Sequence, residues 1–331
     1  MSAVIPHPRE TFDYQGGEAV EGAFLDAQAR GRLHHAWLLV GPEGIGKATF
    51  AYRAARRLLG AAPDPALGAL GAKPDDPVCR QIIARAHPDL LVLQRDAEDG
   101  KTRKGIPVDE VRTLAEFFSK SPASSPYRVA IIDTADDLGV SAANAALKTL
   151  EEPPDRGVLF LVSHTPGGLL ATMRSRCRRL RFDPPDEAAA GAWVAARAGI
   201  EPEEATQLVR MAGGAPGRAW RLAAGGAIEA DETARTLLRG LPTVDDTAMM
   251  AIADGFRGAA GAVRFNLLFE RLADQVAVMA CGQAVAGEGA ALDRWAEAWE
   301  LLVDLPRESE AVNLDRTDAF YTALAALRSI A

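Results

Sequence analysis

Two runs in this chain carry residue types suited to phosphate chemistry. The first is Gly41-Pro42-Glu43-Gly44-Ile45-Gly46-Lys47-Ala48-Thr49, set between an apolar stretch, Ala36 to Val40, and a helical pattern, Phe50 to Leu59. Strand, glycine-rich turn and helix together make the context of a phosphate-binding loop. The glycines let backbone N–H groups face an anion at a helix N-terminus, and Lys47 would reach the outer phosphates. The residue after the lysine should be Ser or Thr, whose hydroxyl holds magnesium. Here it is Ala48. Thr49 lies one residue on, about 100° further round the helix, and is expected to point elsewhere. Such a loop is built to hold a phosphate and poorly built to hydrolyse one. A glycine-rich turn with no ligand would have the same letters.

The acid that a phosphate-binding loop needs comes at the end of a neighbouring strand. Val129-Ala130-Ile131-Ile132-Asp133 supplies it, with Asp133 as the candidate. In ring-forming ATPases of this type a glutamate that activates water usually follows. This chain has Thr134 there. Asp136 and Asp137 begin the next turn and are expected to face solvent or cap the coming helix. The second run is Met173-Arg174-Ser175-Arg176-Cys177-Arg178-Arg179, with Arg181 beyond it. Its arginines could form a solvated basic strand, or their planar, permanent charge could meet phosphate.

The elements that would position these residues follow from periodicity. Glu18 to Arg30 reads as an amphipathic helix with Val20, Phe24 and Ala27 on one side. Strands are expected at Ala36 to Val40, Asp89 to Leu93, Arg128 to Ile132, Val158 to Val162 and Arg179 to Phe182. Between them helices are expected at Val78 to Arg85, Val108 to Phe118 and Ser141 to Glu152, the last stopped by Pro153-Pro154. Ala61 to Pro77 reads as a loop and Asp96 to Gly105 as a charged surface turn. This alternation predicts a parallel sheet with helices on both faces. After Pro184-Pro185 come three short helices, Asp186 to Gly199, Glu203 to Ala212 and Arg218 to Ala224. From Ala230 onward the pattern is helical and alanine-rich. Trp295 and Trp299, four residues apart, are expected to share a core face. Three domains result: 1–183, 184–228 and 229–331.

With 331 residues, 48% hydrophobic and 25% charged, the composition is that of an ordinary soluble protein. A formal net charge of -8 opposes bulk attraction to nucleic acid, while leaving room for a local basic patch. No run approaches the roughly 18 apolar residues of a membrane span. Met1 to Tyr14 is polar and lacks the apolar centre of a signal peptide, so the expected setting is the cytoplasm, without membrane association. Cys79, Cys177 and Cys281 are far apart, and the five histidines are scattered, so no zinc site and no other metal site is expected.

Leu147-Lys148-Thr149-Leu150-Glu151-Glu152-Pro153-Pro154, together with Ser175-Arg176-Cys177, resembles the clamp-loader ATPases of bacterial DNA polymerase III. The resemblance runs from about Pro8 to Ala224. It implies an AAA+ core, a small helical lid and an all-helical collar. Within the family the motor branch, gamma or tau, has an intact loop, an Asp-Glu pair and a four-cysteine zinc module. The delta-prime branch has a decayed nucleotide site and keeps Ser-Arg-Cys. Ala48, Thr134 and the solitary Cys79 match the second branch, although the surviving Gly46-Lys47 pair leaves nucleotide binding open.

The resemblance assigns the remaining roles. Arg176 would be an arginine finger acting in trans on the neighbouring ATPase. Gly41, Gly44, Gly46, Lys47, Ala48, Thr49 and Asp133 would line a nucleotide site. Ser163 stands where the family senses the gamma-phosphate, and Arg218 where a lid arginine would touch nucleotide in cis. ATP or ADP with magnesium would bind weakly or without hydrolysis. The implied partners are gamma/tau and delta subunits in a five-membered ring, the beta sliding clamp and primed DNA, with which the family also allows the arginine run to make contacts. The chain would be a stator in clamp loading and a part of the DNA-directed DNA polymerase holoenzyme. An active gamma/tau-like ATPase and an unrelated nucleotide kinase are the alternatives. In the second, Ser-Arg-Cys has no explanation.

Overall fold

A computed structural model describes residues 5–95, 97–98, 101–102, 105–243, 245–286, 292–312 and 314–329. Its chain divides into two compact units, one running to Trp220 and the other starting at Arg221.

The first unit opens with α1 (Glu18–Ala29), β1 (Ala36–Val40), α2 (Lys47–Leu58), α3 (Pro77–Ile83) and β2 (Leu90–Gln94). A small antiparallel pair, β3 (Ala97–Glu98) with β4 (Lys101–Thr102), lies within the expected charged turn, which falls partly outside the described residues. Then come α4 (Val108–Ser119), β5 (Arg128–Asp133), α5 (Val140–Glu151), β6 (Gly157–Ser163), α6 (Ala171–Ser175) and β7 (Arg178–Arg181). Five strands form one parallel sheet in the order β2-β5-β6-β1-β7. Every residue of β1 and β6 is buried, as strands covered on both faces must be. One face packs Trp37, Leu39 and Phe160 against Phe24 and Phe50 of α1 and α2. The other packs Leu38, Ile132 and Leu161 against α4 and α5 through Leu114, Ala146 and Leu150. The expected parallel sheet with helices on both faces is therefore present. Helices α7 (Glu187–Ala198), α8 (Pro202–Met211) and α9 (Pro216–Gly225) follow it.

Polar groups order the stretches between elements. Asp89 is fully buried and accepts N–H bonds from Ala123, Ser124 and Ser125, which holds the turn before β5. Ala61 to Pro77 is fastened from beneath. Glu21 Oε1 accepts from Arg53 Nε at 2.6 Å, while its Oε2 accepts the Leu70 N–H at 3.0 Å. Arg53 also donates to the carbonyls of Leu67 and Phe12. Cys79 is buried with Ala61 and Ala72 in a small apolar cluster over the same region. No group of three or more His, Cys, Asp or Glu able to hold a metal occurs among the described residues.

The second unit is helical: α10 (Ala227–Gly240), α11 (Asp246–Asp254), α12 (Gly258–Ala286), α13 (Leu292–Val312) and α14 (Arg316–Arg328). Phe256, Phe265, Phe269 and Phe320 lie at its centre. Trp295 is 5% exposed and joins that core, whereas Trp299 is 43% exposed, so the two do not share a buried face. Four residues turn a helix by about 400°, and the extra 40° carries Trp299 over the edge of the stripe. No described helix is long and apolar enough to cross a membrane.

Removing one partner of a buried ion pair leaves the other charge unpaired. Glu21→Ala is expected to lower stability by about 3–5 kcal/mol in equilibrium urea unfolding. A loss below about 1 kcal/mol would show that Arg53 and the 61–77 segment do not depend on it.

Candidate nucleotide and arginine sites

Strand β1 delivers its carboxyl end directly into the glycine-rich loop, and Lys47 opens α2. Gly46 caps that helix with a left-handed φ of 99°, and no side chain caps it. A Cβ on Gly46 would come within 2.4 Å of the Tyr14 ring. Gly44, at φ 75°, leaves room for α9, since a Cβ there would lie 2.4 Å from the Arg218 backbone nitrogen. The Gly217 N–H donates to the Gly44 carbonyl at 2.9 Å. The loop tip and the start of α9 are thus bonded together, with half-buried Arg218 in the first turn of that helix.

Lys47 is buried, and its ammonium donates to the carbonyls of Gly41 and Pro42, both at 2.6 Å. Burial pushes its pKa down to about 8, against the pull of Asp136, Glu43 and Asp133. Asp133 ends β5 in this negative neighbourhood. Burial pushes its carboxyl up to about 6; Lys47 opposes the rise, while Asp137 and Glu43 add to it. Ala48 and Thr49 are both partly buried in the first turn of α2. At position 48 there is a methyl group where magnesium coordination needs oxygen.

Asp136 corrects the sequence reading. It does not face solvent. Its carboxylate accepts from the Ser163 hydroxyl at 2.8 Å, the His164 N–H at 2.5 Å and the Thr165 hydroxyl at 3.1 Å. Burial opposes its charge, but these donors prevail and hold the carboxyl below its usual range. Ser163, fully buried, is thereby committed to Asp136 through its proton. Three donors in sequence, Ser-His-Thr, beside an acid strand were the readable signal. Asp137 accepts instead from the Thr134 hydroxyl at 3.2 Å.

Arg176 is elsewhere. Parallel pairing aligns Val40 with Arg181 and Trp37 with Arg178. The loop leaves the carboxyl end of β1, while Arg176 precedes the amino end of β7, roughly 10 Å of strand away. Arg176 caps α6, a helix that periodicity did not predict because it has only five residues. Its Nη1 donates to the Thr172 carbonyl at 3.1 Å, and its Nη2 lies 3.1 Å from Glu151 Oε1. Arg174 donates to the Pro166 carbonyl, Arg178 lies over the Trp37 ring and Arg181 pairs with Asp183. These arginines therefore have separate partners. The structure gathers Gly41, Gly44, Gly46, Lys47, Asp133, Asp136 and Arg218 around one end of the sheet and sets Arg176 at the other.

Residues 17–186 match the family model described as DNA polymerase III, delta subunit. The DNA polymerase III subunit delta' of Pseudomonas aeruginosa is 39% identical over 201 residues, which are 60% of this chain and 59% of that one. The Escherichia coli subunit delta' is 33% identical over 222 residues, 67% of this chain and 64% of that one. The chain thus spans about six-tenths of the length of these two relatives. The DNA polymerase III subunit tau of Bacillus subtilis is 29% identical over 180 residues, 53% of this chain and 29% of that one.

The electrostatics of Asp133 make a test. Its folded-state pKa, about 6, stands above the ordinary value of 3.8, so ionising it costs stability as pH rises through that window. Asp133→Asn removes the cost. The variant is expected to match wild type near pH 4 and to exceed it above pH 6 by about 2–3 kcal/mol in chemical denaturation. A variant less stable than wild type above pH 6 would mean that pairing with Lys47 outweighs burial.

Proposed function

The chain belongs to the DNA polymerase III delta subunit family, and we propose that it is a clamp-loader subunit of the delta-prime type. In this reading it sits in a five-membered ring with gamma/tau and delta subunits in the cytoplasm. It helps place the beta sliding clamp on primed DNA and presents Arg176 to nucleotide bound by the adjacent motor subunit. The segments 1–183, 184–228 and 229–331 would act as AAA+ core, lid and collar.

The observation that carries the reading is the position of Arg176. It stands at the amino ends of the strands, while its own phosphate-binding loop stands at the carboxyl ends. Its charge is therefore unsuited to phosphate held in cis and available to phosphate held by a neighbour. An arginine supplied this way stabilises transition-state charge and is worth about 10³–10⁵ in rate.

The chain's own loop fits a phosphate better than it fits hydrolysis. Uncapped N–H groups at the start of α2 suit an anion, with Arg218 at the adjoining helix start, while the Ser163 hydroxyl is already spent on Asp136. Lys47, however, already donates to two loop carbonyls, and Ala48 offers no ligand to magnesium. ATP or ADP bound here would be held by Lys47 and the loop backbone, with Asp133 close by. The chain's contribution to the reaction would be structural at this loop and electrostatic at Arg176.

The test is ATP turnover by a reconstituted loader with sliding clamp and primed DNA. Arg176→Ala is expected to lower turnover of the assembly at least several-fold, Lys47→Ala to change it little, and the isolated chain to be inert. Turnover by the isolated chain, insensitive to Arg176→Ala, would instead identify an active ATPase.

A further inference from the structure

Glu151 is the last residue of α5. A carboxylate at that point meets the negative end of the helix macrodipole, and Glu152 beside it adds a second negative charge. Lys148, one turn earlier, is the basic residue that such a helix end favours. The helix therefore gains nothing from Glu151. Its ion-pair partner is Arg176, from a different element, at 3.1 Å.

Arg176 is held at two points. One arm of its guanidinium donates to the Thr172 carbonyl on α6, and the other meets Glu151 on α5. Both side chains remain accessible, 37% for Arg176 and 49% for Glu151. An exposed pair of this kind does little for stability. It does restrict the rotamers of a long side chain. A guanidinium has five N–H donors, and two directions are used here. The others stay open to a ligand arriving from outside the chain.

We propose that Glu151 is a positioning residue for Arg176. Together with the Thr172 carbonyl it fixes the guanidinium before phosphate arrives, so less side-chain freedom is lost when the finger engages. This rests on the reading of Arg176 as a finger toward a neighbouring subunit.

The experiment uses the reconstituted loader with sliding clamp and primed DNA, all other subunits being wild type. This chain is supplied as wild type, Glu151→Gln, Glu151→Ala, Arg176→Ala and the double variant Glu151→Ala/Arg176→Ala. Glu151→Ala is expected to lower kcat for ATP roughly three- to tenfold with KM unchanged. Glu151→Gln, which keeps an acceptor but no charge, is expected to fall between. In the Arg176→Ala background, Glu151→Ala is expected to cost nothing further, because its effect passes through the arginine. Glu151→Ala turnover equal to or above wild type, beside a slow Arg176→Ala, would overturn positioning and leave the finger standing. A further loss in the double variant would overturn it as well. Arg176→Ala with wild-type turnover would overturn the finger and this proposal together.

Discussion

Parallel pairing of β1 with β6 on one side and β7 on the other is the constraint on which the chemistry of this chain depends. A parallel sheet sorts its connections by end. Whatever leaves a strand appears at one edge, and whatever enters a strand appears at the opposite edge. The glycine loop, Asp133 and Ser163 all leave strands. Glu151 precedes β6 and Arg176 precedes β7, so both enter them. One register thus separates the glycine-rich loop from Arg176 within a single unit. Five fully buried β1 residues, with Phe24 and Phe50 packed on one face, hold that separation rigid.

The glycine-rich loop shows how buried charges find partners. In water an ammonium is well solvated; buried, Lys47 needs acceptors, and it finds the carbonyls of Gly41 and Pro42. The same burial raises the pKa of Asp133. Asp136 escapes it because Ser163, the last residue of β6, and the two residues after it all donate to its carboxylate. Two carboxylates three residues apart thus move in opposite directions, one dominated by burial and the other by hydrogen bonds. The loop tip is also bonded to α9 through Gly44 and Gly217, so loop and helix would have to adjust together for any occupant.

Much of this was legible in sequence. The five sheet strands fell within a residue or two of their places because apolar runs bounded by turn residues leave little choice of register. The glycines marked the turn between strand and helix, and Ala48 declared a missing hydroxyl. What escaped was long-range polar pairing. Glu21 carries no local signal of its role, yet Arg53, 32 residues on, pairs with it in the interior. Asp136 reads as a helix cap until β6 is placed beside it. Trp299 shared a spacing with Trp295 but not its burial, since periodicity fixes angle without saying how wide the buried stripe is. Ala61 to Pro77 has no apolar period, and its order comes mainly from Arg53 and Glu21, which no local window contains, with Asp76 adding a local cap at its end.

The same long-range pairing joins Ser-Arg-Cys to the Leu-Lys-Thr-Leu-Glu-Glu-Pro-Pro run. They are separated by twenty residues, 155–174, including all of β6, and no periodicity relates them. The fold brings the end of α5 and the start of β7 to the same edge of the sheet, where Glu151 meets Arg176. Pro153-Pro154 follow the last turn of α5 and keep the helix from running past that edge. Cys177 packs inward against the core face that includes Leu150, so the arginine beside it is carried by a fixed backbone. A surface arginine held in this way costs less to order than a free one when a phosphate meets it. The physical content of the two motifs is then a single arrangement, with a helix end supplying the carboxylate and a strand entry supplying the charge it holds.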